Sequence, residues 1–92
     1  MAHEDFPGGP LVREGLEDLA RGVESIASLL VSIGAPRLER AGITLPAAPL
    51  PDPERRLYDR LAEHDPDGAH GRYNGLVRLL VSFERAVECA AR

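Results

Sequence analysis

The chain has 92 residues, of which 43% are hydrophobic, 28% are charged and 4% are aromatic, and its formal net charge is −4. This length allows one domain at most. Because there is no Trp and there are few aromatic rings, the core has to be built mainly from Leu, Val, Ile and Ala. The acidic balance argues against nucleic acid as a main partner, since phosphate binding needs a basic surface.

The single cysteine, Cys89, excludes a disulfide within the chain and favours a reducing compartment. The first residues lack the basic segment and apolar core of a signal peptide. No apolar run approaches the roughly eighteen residues of a membrane span. We therefore expect a soluble, cytoplasmic protein with no membrane partner.

The first amphipathic pattern follows an N-terminal segment without one. Residues 1–9 combine Phe-Pro-Gly-Gly with polar neighbours, which predicts a flexible arm before a single helical domain over 10–92. From Val12 to Ile33, hydrophobic residues recur at alternating steps of four and three. This spacing predicts one long helix over about 11–33.

Glycine and proline mark the expected end of this helix. Gly34 is typical of the left-handed residue just after a helix, and Pro36 stands where a helix cannot easily continue. Two further glycines, Gly15 and Gly22, lie inside the pattern. They form either a smooth strip that another helix can approach closely or a solvent-facing side that tolerates glycine.

The middle of the chain is rich in proline. Residues 43–52 are expected to form an extended connector, with Leu45 and Leu50 as hydrophobic anchors. Asp52 followed by Pro and Glu is typical of a capped helix start, and it predicts a short helix over about 53–64.

A second long amphipathic pattern ends the chain. Asp and Gly residues within 65–68 predict a turn, after which hydrophobic residues at steps of three and four predict a helix over about 69–91. Additional hydrophobic residues at Val77, Leu79 and Val81 widen this stripe. We therefore expect more than one partner surface to cover it.

Residues 63–70 form the densest polar cluster, with two histidines and three carboxylates. Their order does not fit a calcium loop, because the fifth and sixth positions counted from Asp65 are Ala69 and His70. The two histidines are also not one helical turn apart, as a helical zinc site requires. A polar turn between two helices explains the cluster, and we expect no metal and no cofactor.

The order of helices resembles that of the small all-helical chorismate mutases, which have a long first helix, a connector and two further helices in an intertwined dimer. The acidic and basic segment 52–61 looks like their second helix, and the resemblance puts Glu54 at the position of a substrate-contacting glutamate. That chemistry needs several inward-facing Arg and Lys side chains, whereas this chain has no lysine and no glutamine. The catalytic residues are not matched, so the resemblance concerns the plan alone.

These patterns predict an all-α protein: a small helical bundle of two long amphipathic helices and one short helix, completed as a dimeric four-helix-type bundle. Two helices joined by a loose connector cannot enclose two wide apolar stripes, and self-association is the commonest way to cover them. We expect a protein–protein interaction or regulatory module that forms a homodimer or binds a larger protein. The predicted interface consists of stripe residues, namely Leu16, Leu19, Val23, Ile26, Leu30, Leu76, Leu80, Phe83 and Val87.

A small enzyme is the alternative, although the sequence favours a role without catalysis. The pocket of such an enzyme would lie between the helices, where polar side chains from the second half of the chain converge. The candidate pocket residues are Arg55, Arg56, Tyr58, His64, His70, Arg72, Tyr73 and Asn74. No catalytic residue is predicted among them.

Overall fold

The computed structural model describes residues 3–90, and within this range every regular element is helical. Within these residues, a short 3-10 turn precedes four α-helices, which are α1 (Gly9–Ala20), α2 (Ile26–Arg40), α3 (Pro53–His64) and α4 (Ala69–Ala90). Predictions that concern positions 1, 2, 91 and 92 lie outside the described residues. The all-α class is confirmed, but residues 3–90 form four α-helices instead of three.

The single helix predicted over 11–33 is wrong, because the chain turns between α1 and α2. Gly22 has a positive φ of 71°, and the extended residue Ser25 caps α2. The Ser25 Oγ accepts a hydrogen bond from the Ser28 N–H at 3.0 Å, and the Ser28 Oγ accepts one from the Ser25 N–H at 2.7 Å. A left-handed glycine ends one helix, and a capping serine starts the next. In this chain these local signals outweigh the hydrophobic period, which continues through the turn.

Asp18 holds this turn from the last turns of α1. Its carboxylate accepts hydrogen bonds from the Ser25 Oγ at 2.7 Å and from the Arg21 guanidinium. Its backbone oxygen accepts a hydrogen bond from the Val23 N–H at 2.8 Å. The hydrogen bonds from Ser25 and Arg21 keep the pKa of Asp18 below its ordinary value, so the carboxylate stays charged and keeps these contacts.

The close packing of α1 on α2 depends on Gly15. A β-carbon built on Gly15 would overlap the Ala27 carbonyl oxygen and the Val31 side chain. Of the two interpretations open for the glycines, close approach therefore applies to Gly15, with α2 as the neighbouring helix. Gly22 instead supplies the left-handed residue of the turn.

The predicted helix end at Gly34 is also wrong, because α2 continues through Pro36 for another turn. An interior proline costs about 3 kcal/mol. Continuing the helix buries Ala35 and Leu38 in the core, and burial of one Leu side chain alone is worth about 1.5–3 kcal/mol. The helix ends before Gly42, which has a φ of 97°.

Helix α2 lies at the centre of the bundle and contacts α1, α3 and α4. Most of its side chains between Ala27 and Leu38 are buried. The other helices complete the core with Val12, Leu19, Leu57, Leu61, Ala69, Leu80, Phe83 and Val87. This central position explains how one chain covers most of its own apolar surface.

The connector after α2 is held against the core by the two predicted anchors. Leu45 and Leu50 both pack on core residues, and the Leu50 N–H donates a hydrogen bond to the Ser32 Oγ at 3.0 Å. Helix α3 then begins at Pro53, but the Asp52 side chain makes no capping hydrogen bond. The predicted cap is wrong because Asp52 has a left-handed backbone, with a φ of 50°, whereas a side-chain cap needs an extended one.

The described part of the N-terminal segment, residues 3–9, is not a loose arm. Phe6 packs against the core, and its ring centroid lies 6.3 Å from that of Phe83. The His3 ring meets Phe83 edge-on at 6.0 Å. Burying an aromatic ring next to the core outweighs the conformational freedom that the segment gives up.

Candidate interaction surface

The nine residues of the predicted interface divide between the core and the surface. Five of them are buried inside the single chain and are not available to a partner in this fold: Leu19, Leu30, Leu80, Phe83 and Val87. The turn between α1 and α2 explains this correction, because it folds one half of the predicted long helix onto the other. Leu16, Ile26 and Leu76 lie half-buried at the edge of the core, and Val23 is 44% exposed in the turn.

A groove of about 470 Å³ between α1 and α4 leaves part of this apolar surface open. Its hydrophobic residues are Leu11 of α1, Ile26 of α2 and Leu76 of α4, all half-buried. The remaining lining residues are Glu14, Ser25, Ala27, Arg60, His64 and Arg72. We refer to this surface, which joins all four helices, as the α1–α4 groove.

The two walls of the α1–α4 groove carry opposite charges. Glu14 projects from α1 and Arg72 from α4, and both are exposed. Among residues 3–90, neither of them takes part in an ion pair. Arg60, in contrast, lies 3.3 Å from Glu24, which also pairs with Arg56 at 2.8 Å. The groove therefore offers one acidic and one basic group that are free to pair with a partner.

Helix α4 extends the open wall beyond the groove. Spacings of three and four residues place Gly75 and Leu79 on the same side of α4 as Arg72 and Leu76. Leu79 is 36% exposed, and no atom lies within 4 Å of a β-carbon built on Gly75. A partner can therefore approach this side of α4 closely and bury a hydrophobic side chain there.

The polar residues proposed for an enzyme pocket take part in several different contacts. His64 and Arg72 line the α1–α4 groove. The other candidates form pairwise contacts. Arg55 lies 3.9 Å from Asp59, and Arg56 pairs with Glu24. The rings of Tyr58 and Tyr73 are 5.8 Å apart, and the Asn74 amide lies 3.2 Å from the His70 ring. Burial, with a smaller contribution from Glu54, raises the pKa of Tyr73, so its phenol stays protonated. Among the described residues, His64 and Arg72 thus share the α1–α4 groove, whereas the other candidates take part in several pairwise contacts.

Sequence reasoning missed an ionic cluster that links α2 to α4. Arg37 lies 2.7 Å from Glu88 and 3.4 Å from Glu84. Glu84 is buried, and its carboxylate stands close to Gly34, where the Leu80 side chain also packs. Burial raises the pKa of Glu84, and the positive charge of Arg37 opposes that rise. An acid on the apolar side of α4 was the signal that could have revealed the cluster, because a buried charge needs a partner.

Five residues of the α1–α4 groove were also missed, namely Leu11, Glu14, Ser25, Ala27 and Arg60. Leu11 precedes the core residue Val12, and this widening of the apolar stripe was the one sequence signal that could have found it. No pattern in the sequence places α1 beside α4. That neighbourhood depends on the turn between α1 and α2.

The polar cluster before α4 was the candidate for a metal site. No group of three or more His, Cys, Asp or Glu side chains between residues 3 and 90 is arranged to hold a metal ion. In the polar turn before α4, the Gly68 N–H donates a hydrogen bond to the Asp65 carboxylate at 3.1 Å. Over the same range, no helix combines the length and the apolar character needed to cross a membrane.

In comparisons with known proteins, the chain matches no protein family model, no curated protein and no solved structure. The long first helix on which the resemblance to chorismate mutases depends is interrupted after Ala20. The surface of the molecule therefore provides the basis for a functional proposal.

Proposed function

We propose that the protein is a non-catalytic helical module that works through protein–protein interaction and associates with a second copy of itself. The observation that supports this proposal best is the α1–α4 groove, where the side chains of Leu11, Ile26 and Leu76 stay partly open to solvent. Apolar side chains that stay open together in a groove rimmed by polar residues are typical of interaction sites.

The size of the chain also supports self-association. A domain of this length buries a smaller share of its surface than a larger one, and its stability margin is correspondingly thin. A stable dimer buries about 800 Å² on each subunit, which is roughly a seventh of the 5454 Å² that this chain exposes. Association would add buried apolar area that the single chain cannot provide, and twofold dimers are the commonest form it takes.

The arrangement of polar groups favours interaction over catalysis. The candidate pocket residues are distributed over separate pairs along α3 and α4. A binding surface needs no such convergence, because hydrophobic contact supplies most of the affinity and charged groups at the rim fix the orientation.

Light scattering after size-exclusion chromatography tests this proposal. The chain has a mass of 10.0 kDa, and we expect the measured mass to rise towards twice this value as the concentration increases from micromolar to millimolar. Leu79→Ser should shift the equilibrium towards the monomer. Val23→Ser removes another exposed hydrophobic side chain, but one in the turn between α1 and α2 and not on the open side of α4, and it serves as the control. The monomer mass at every concentration would contradict the proposal.

A further inference from the structure

We infer that the α1–α4 groove binds the same groove of a second copy about a twofold axis, so that Glu14 of each subunit pairs with Arg72 of the other. The inference rests on the proposed function, because it specifies the surface through which the module associates with itself.

The charges of the groove carry this inference. In a twofold interface each contact occurs twice with the partners exchanged, so one surface must contain both halves of every pair. The α1–α4 groove meets this condition, since Glu14 lies on the α1 wall and Arg72 on the α4 wall, both exposed and both without an ion pair among residues 3–90. A partner of single charge would satisfy one wall and be repelled by the other.

The apolar residues agree with the same arrangement. A twofold rotation that brings α1 of one subunit onto α4 of the other places Leu11 opposite the Leu76 and Leu79 region. The open surface at Gly75 lets the second helix approach closely. Hydrophobic contact would supply the affinity, while the exposed ion pairs contribute little affinity of their own and select the orientation.

Charge reversal tests the pairing directly. Glu14→Arg places two positive charges at both symmetry-related contacts, and Arg72→Glu places two negative charges there. We expect each variant alone to raise the dimer dissociation constant about tenfold or more. Both positions are exposed, so circular dichroism and the melting temperature should show an intact fold in dilute solution.

Mixing the two variants provides the decisive measurement. In a heterodimer of Glu14→Arg with Arg72→Glu, opposite charges meet again at one contact and the original pair is retained at the other. We therefore expect the mixture to form heterodimers at concentrations where each variant alone is monomeric, as measured by native mass spectrometry. The double variant Glu14→Arg/Arg72→Glu should regain dimerisation for the same reason.

Matched charge reversals elsewhere on the same helices serve as controls. Glu17→Arg on α1 and Arg78→Glu on α4 change the net charge equally at exposed positions that do not line the groove, and both should dimerise like the wild type.

If the wild type dimerises and both groove variants, Glu14→Arg and Arg72→Glu, keep its dissociation constant, the inferred surface is wrong while the proposed function stands. If each single variant weakens the dimer but neither the mixture nor the double variant restores it, the twofold pairing is wrong. A monomeric wild type would overturn the proposed function itself.

Discussion

Gly15 of α1 lies directly against the carbonyl oxygen of Ala27 in α2, with no room for a β-carbon between the two helices. This contact sets how closely α1 approaches the central helix. Because α2 also contacts α3 and α4, the spacing at Gly15 influences how the whole bundle closes.

Gly15→Ala should lower the free energy of unfolding by about 1–3 kcal/mol, because the added methyl group has to push the two helices apart. Urea unfolding at a fixed protein concentration measures the effect. Gly71→Ala is the matched control: a β-carbon there meets no atom within 4 Å, so the better helix propensity of alanine should stabilise the protein by up to about 1 kcal/mol. Equal stability of Gly15→Ala and the wild type would show that the two helices do not pack this closely.

Ser25→Ala should destabilise the protein by about 1 kcal/mol, because it removes the cap that starts α2. Thermal and urea unfolding measure the change. Ser82→Ala, at an exposed position within α4, removes a hydroxyl that caps no helix and should leave stability unchanged or slightly higher. A loss of the same size in both variants would mean that the cap contributes nothing specific.

The same substitution should change the titration of Asp18. The hydrogen bond from Ser25 is the largest cause of the lowered pKa of Asp18, so this pKa should rise towards its ordinary value in Ser25→Ala. In the wild type the lowered pKa stabilises the folded state above pH 3.8, and this stabilisation is lost as the pH falls below that value. Carboxyl chemical shifts followed by NMR against pH measure the difference, and an unchanged Asp18 titration would contradict the hydrogen-bond assignment.

Glu84 should give stability the opposite dependence on pH. Its pKa in the folded protein is raised above 4.5 by burial, so the folded state holds the proton more tightly than the unfolded state does. The free energy of unfolding should therefore fall as the pH rises from 4.5 through the raised pKa. Urea unfolding over a pH series measures this slope.

Variants of the ionic cluster identify the source of that slope. Glu84→Gln should remove it, while Arg37→Met should extend it to higher pH, because the charge of Arg37 lowers the pKa of Glu84. Glu63→Gln, which removes an exposed carboxylate on α3, is the control and should keep the wild-type profile. A slope that persists in Glu84→Gln would assign the effect to another group.

Local patterns account for the elements that the sequence predicted well. The segment after Asp52 combines proline at the helix start with an apolar period, and helix α3 occupies the predicted residues. Leu45 and Leu50 anchor the connector as predicted, since isolated hydrophobic residues among prolines have no other place to be buried. These features depend on neighbouring residues alone, so the sequence is sufficient to find them.

The helix boundaries around Gly22 and Gly34 show where local reasoning reaches its limit. The hydrophobic period predicted a helix through Gly22, whereas the capping interactions of Ser25 and Asp18 ended it there. At Gly34 and Pro36 the opposite occurred, because burial of Leu38 carried the helix past two residues that usually end one. In each case two local signals disagreed. Capping contacts within residues 18–28 decided between them at Gly22, and packing of Leu38 in the core decided at Gly34 and Pro36.

By itself, the sequence determined that the protein is helical and which residues are apolar enough to require burial. Tertiary structure alone decided which of them lie in the core and which line the α1–α4 groove. The physical reason is the turn at Gly22: it lets one chain cover residues such as Leu30 and Phe83 that a single long helix would have left exposed. The same turn leaves Glu14 and Arg72, neither of which takes part in an ion pair among residues 3–90, as opposite charges of one groove.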